Sequence, residues 1–83
     1  MDTEIRKECL RPADENWIPP TGEEIKEAIK LSGLSGEQLR KKLGIESSRT
    51  MRRWIGQDLV IPYTAWAILC DLAGFGIIWR SNS

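Results

Sequence analysis

A chain of 83 residues holds one compact domain and excludes two with separate cores. It has no histidine and only two cysteines, Cys9 and Cys70, which argues against a structural metal site, a cofactor cluster and a disulfide-stapled secreted scaffold. Its 12 bases and 12 acids cancel overall but not locally: residues 1–31 are net −3, residues 32–57 net +4 and residues 58–83 net −1.

Residues 1–20 are charged, lack a sustained period and end in Trp17-Ile18-Pro19-Pro20, where paired prolines enforce an extended path. They read as an N-terminal arm, with Trp17 and Ile18 folded back onto the domain and the first dozen residues mobile. Cys9 carries no signal of its own.

Thr21-Gly22-Glu23-Glu24 is a capping box that starts the first helix. Ile25, Ala28 and Ile29 give its apolar stripe, and Gly33 is placed to end it. Ser35 with Gln38 offers a second cap, Leu39 and Leu43 supply a narrow inward face, and Gly44 closes a helix of about two turns.

After the turn Gly44-Ile45-Glu46, Ser47 or Ser48 can cap a third helix running to about Ile55, and Gly56 ends it. Met51, Trp54 and Ile55 form its buried side. Pro62 suits the first turn of a fourth helix, apolar on most faces through Ala65, Trp66, Ile68, Leu69, Leu72 and Ala73. Cys70 lies in that run and reads as a small core residue. Phe75-Gly76-Ile77-Ile78-Trp79 follows as a short β-like or extended tail. Pro62, Asp71, Gly74 and Gly76 make the apolar stretch from Ile61 to Trp79 unfit to span a membrane.

Two short helices joined by a glycine-containing turn, the second bearing bases outward, are the sequence form of a DNA-binding helix-turn-helix. With Met51, Trp54 and Ile55 inward, Ser48, Arg49, Arg52 and Arg53 fall largely on the other side of the helix. There an arginine fork can bond guanine O6 and N7 together, which lysine cannot match. Three arginines on one helix are also what a merely solvated face looks like. The adjacent caps, the glycine turn and the local charge favour the DNA reading. Ser47, Ser48 and Thr50 can cap the helix or bond phosphate, and the sequence does not choose between these roles.

Gly33-Leu34-Ser35, Leu39-x-x-x-Leu43-Gly44-Ile45, Ser47-x-x-Thr50-Met51-x-x-Trp54 and Pro62 resemble the Cro/C1 (lambda-repressor-like, XRE) helix-turn-helix domains over roughly Thr21 to Leu72. The resemblance implies an all-α bundle of four or five helices, often dimeric, that binds palindromic operators in small bacterial, prophage or mobile-element regulators. It implies base contacts from Ser48, Arg49 and Arg52 and phosphate contacts from Ser47, Thr50, Arg53, Gln38 and Lys41. The chain departs from the pattern at Glu46, one residue beyond the usual turn, and at Arg40, where a small residue is usual. It also has Gly36 where glutamine is frequent, and Ile55 in place of glutamate.

The expected organisation is an arm over 1–20, the helix-turn-helix domain over 21–74 and a tail over 75–83. Trp66, Phe75, Ile77, Ile78 and Trp79 are expected at a homodimer contact. The leading expectation is a cytoplasmic, dimeric repressor that binds double-stranded DNA without a cofactor. The alternative is an antitoxin-like or adaptor module that docks the apolar C-terminal segment on a protein partner. Without histidine, a phosphate loop or a metal cluster, no recognisable catalytic site is present and an enzyme is not expected.

Overall fold

The computed structural model describes residues 4–79, so the ends of the expected arm and tail lie outside the described residues. A single 3-10 turn, Lys7–Leu10, precedes four α-helices: α1 Gly22–Ser32, α2 Gly36–Leu43, α3 Ser48–Ile55 and α4 Tyr63–Leu72. No strand occurs among the described residues, and the chain is an all-α bundle. The tail expected to be β-like is irregular, and Ile78 within it drops into the core.

Local chemistry explains where each helix starts and stops. Thr21 Oγ1 accepts from the Glu24 N–H at 3.2 Å while Glu24 Oε1 accepts from the Thr21 N–H at 2.7 Å. Ser35 and Gln38 repeat this reciprocal pair on α2, at 3.1 and 2.9 Å. Each box satisfies orphan N–H donors of a first turn. Gly33 and Gly44 close α1 and α2 at φ +71°, a left-handed geometry that a side chain disfavours. At the end of α3, Gly56 remains right-handed and Gln57 takes the left-handed turn at φ +64°. Pro62 sits at the N-cap of α4, just outside its first turn.

Helix α4 is the central element, with α1 and α2 both packed on it and on α3. Ala65, Trp66, Ala67, Leu69 and Cys70 are buried on α4, joined by Ile25 and Ala28 of α1, Leu39 of α2 and Met51 and Trp54 of α3. Burial of such side chains is the main favourable contribution to folding.

The N-terminal segment is built into this core. Cys9 is fully buried, and its carbonyl oxygen accepts two indole N–H groups, from Trp66 at 2.7 Å and Trp17 at 3.0 Å. Tyr63 donates its hydroxyl to the Arg11 carbonyl at 3.0 Å, and the Trp17 and Tyr63 rings meet edge to face at 5.0 Å.

Glu24 is buried to 3% exposure and ties the same segment to α1. Its carboxylate accepts from the Arg6 backbone N–H, Nε and Nη2, each at 2.9 Å. Burial alone would raise its pKa, but the bonds from Arg6 and Thr21 outweigh burial and bring it down to about 2.

Candidate nucleic-acid interface

Helix α3 has two unlike sides. Ser47, in extended backbone, caps it by accepting the Arg49 N–H at 3.0 Å, so the structure uses this hydroxyl as a cap. Inward, Met51 and Trp54 are 5% and 3% exposed, with Ile55 half-buried beside them. Trp54 is therefore held in the core and is not free to stack on a base. Outward, Arg49, Arg52 and Arg53 are all exposed, and none is ion-paired with another described residue. Three guanidinium groups at i, i+3 and i+4 thus share one open face.

Ser48 and Thr50 are half-buried flanks of that face. Ser48 and Arg52 border a hollow whose floor is Ile29, Gly36, Met51 and Ile55, between α1, α2 and α3. Gly36 lies beside Met51 in this hollow, where a Cβ would make only an ordinary contact, 3.9 Å from the Met51 methyl.

Helix α2 adds a second basic surface. Gln38, Lys41 and Lys42 are exposed together around a shallow concavity. The Gln38 carbonyl oxygen is committed to the cap, which leaves its amide NH2 as the group able to reach a phosphate oxygen. Arg40 on the same helix turns elsewhere. Its Nε and Nη2 donate to Glu37 Oε1 at 2.9 and 2.6 Å, and its Nη1 donates to the Ile45 carbonyl at 3.1 Å. This pairing holds Glu37 below the usual carboxylate range and raises Arg40. Arg40, where the chain departs from the Cro/C1 pattern it resembles, is thus a brace across the α2–α3 turn.

The residues expected at a subunit contact divide. Trp66 is 0% and Ile78 6% exposed, and both are enclosed by their own chain. Trp66 is the central core side chain, its indole donating to Cys9; an unpaired indole N–H in that position would carry a desolvation cost. Phe75, Ile77 and Trp79 are exposed, with Ile68 of α4. Trp79 and Ile68 line an apolar groove together with Tyr63, Thr64 and Ala67.

Sequence reasoning missed the cluster of Arg6, Cys9 and Glu24 and both partners of Arg40, Glu37 and the Ile45 carbonyl. A glutamate at the third position of a capping box signals only its local bond, and nothing in the order of residues shows that Arg6 reaches the same carboxylate from 18 positions away.

No helix among the described residues is long and apolar enough to cross a membrane. No protein-family model matches the chain, and no solved structure matches it. The chain is 58% identical over 83 residues to a transcriptional repressor protein KorC of Escherichia coli, covering 98% of this chain and 96% of that protein. A second transcriptional repressor protein KorC of Escherichia coli is 53% identical over 81 residues, covering 95% of this chain and 94% of that protein.

Proposed function

The chain belongs to the family of KorC transcriptional repressors, and from that premise we propose that α3 is the helix its DNA-binding activity lays in the major groove. The protein is a DNA-binding transcriptional repressor. The observation that carries the assignment of α3 is its division into a side fixed in the core by Met51 and Trp54 and a side of exposed Arg49, Arg52 and Arg53. A reading helix needs this combination: a rigid mount and side chains free to bond base edges.

On this reading α2 and α3 form a helix-turn-helix of the Cro/C1 type within one domain whose core also takes in Cys9 and Ile78 from outside residues 21–74. Ser48, Arg49 and Arg52 meet bases, while Ser47, Thr50, Arg53, Gln38 and Lys41 meet phosphates. Two copies pair through Ile68, Phe75, Ile77 and Trp79 and read a palindromic operator in the cytoplasm. The exposed apolar groove beside α4 supports pairing.

Selection of bound duplexes from random DNA tests the reading. Enrichment of a two-fold symmetric consensus, lost in Arg52→Ala, is the expected result; no enrichment would overturn it. Sedimentation of the free protein separates pairing from the adaptor alternative, in which a monomer uses the same groove on a different protein.

A further inference from the structure

We propose that Arg40 is a specificity-determining positioning residue, one that sets how α3 meets the DNA without touching the DNA itself. The proposal rests on α3 being the reading helix. Residues 40 and 45 hold each other in both directions: the Ile45 N–H donates to the Arg40 carbonyl at 3.1 Å, and Arg40 Nη1 donates to the Ile45 carbonyl at 3.1 Å. Only Glu46 and Ser47 then separate the pinned carbonyl from the first residue of α3. Glu37 holds the guanidinium from its other edge, so the planar fork cannot swing away.

The geometry has a particular use in this chain. Its turn is one residue longer than the pattern it resembles, and a longer turn is looser unless tied. Arg40 supplies the tie by binding the last turn of α2 to the backbone just ahead of α3. At the far end of α3 the Ile55 carbonyl packs against the backbone of Gly22, so the helix is held at both ends and its tilt is fixed.

Exposure separates this role from mere stabilisation. The Glu37 side chain is 61% exposed against 25% for Arg40, so water screens the ion pair from one side and the pair contributes little to folding. Removing Arg40 is therefore expected to release the turn at a small cost to the fold. A helix free to tilt still meets phosphates, but its base contacts no longer fall at hydrogen-bond distance.

The experiment compares four proteins: wild type, Arg40→Ala, the charge-swapped Glu37→Arg/Arg40→Glu, and Arg52→Ala. Each is measured by thermal melting and by affinity for the duplex selected by wild type against a scrambled duplex. For Arg40→Ala we expect a melting temperature close to wild type, a loss of about tenfold on the selected duplex and a much smaller loss on the scrambled one. The swap restores the ion pair, but glutamate cannot donate to the Ile45 carbonyl, so it is expected to remain as poor as Arg40→Ala. Equal losses on both duplexes, or recovery by the swap, would overturn the proposal. If Arg52→Ala loses discrimination while Arg40→Ala keeps it, the role of Arg40 fails and α3 stands. If Arg52→Ala keeps discrimination, the reading of α3 fails and takes this proposal with it.

Discussion

The buried carboxylate of Glu24 is shared between its own helix cap and the guanidinium of Arg6, whose Nη2 lies 2.9 Å from Oε1. One side chain therefore joins the start of α1 to the N-terminal segment. Its pKa of about 2 lies below the ordinary 4.5, so the folded state favours the ionised form. The stabilisation is fully present above pH of about 4.5 and is lost as pH falls toward about 2; the full shift corresponds to about 3 kcal/mol. Urea melts from pH 6 to pH 2 are expected to show this loss in wild type and a flatter profile in Glu24→Gln. Glu24→Gln is also expected to be less stable at pH 7, because a neutral amide accepts more weakly from Arg6 and Thr21 than the buried carboxylate does.

Thiol reactivity reports on the same segment. Burial first, then the Glu24 charge, pushes Cys9 up to about 11, and burial together with the neighbouring Cys9 pushes Cys70 up to about 12. Both thiols are free and buried. At pH 8 in native buffer both are expected to label at least about a hundredfold more slowly than in urea, because the thiolate is scarce and enclosed. Prompt labelling of one thiol in native buffer, assigned to Cys9 by peptide mapping, would mean that the segment does not pack as described.

Gly22 meets the end of α3 so closely that a Cβ would be driven into the Ile55 carbonyl oxygen. Neither backbone can move without shifting its helix. Gly22→Ala is expected to cost about 1–3 kcal/mol of folding stability, despite the better helix propensity of alanine. Denaturant unfolding checks this, and a neutral or stabilising result would show that α1 and α3 can separate freely.

DNA affinity divides the basic residues by role. Arg52→Ala is expected to lose about 1–3 kcal/mol on the selected duplex and to relax preference at one base position. Arg53→Ala and Lys41→Ala should weaken binding to all duplexes alike and reduce the steepness of the log-log salt dependence by about 1 each. Titrations at several salt concentrations distinguish the two behaviours.

Helix limits were legible because their chemistry is local. Thr21 with Glu24, Ser35 with Gln38, and Gly33 and Gly44 each act within five residues, and the structure uses them as the sequence suggests. The two sides of α3 were legible for the same reason, since period alone turns Met51 and Trp54 inward. The N-terminal segment was not. Its contacts run from Arg6 to Glu24, Cys9 to Trp66 and Arg11 to Tyr63, and they involve backbone carbonyls that every residue possesses. Trp66 was misplaced because a helix apolar on most faces does not reveal which face its own chain covers, and Ile78 because an irregular tail has no period to show which of its apolar residues turns inward. Arg40 was visible as an oddity, but its partner is a carbonyl, which composition cannot disclose.

The carbonyl of Cys9 that gathers two indoles also fixes when the domain can close. Trp66 follows it by 57 residues, so a growing polypeptide carries its first segment unfinished until the last helix has left the ribosome. A product truncated ahead of α4 leaves that oxygen without the Trp66 indole, and the core without its centre. A fragment that stops ahead of α4 is therefore expected to stay unfolded and to lose DNA binding along with its core.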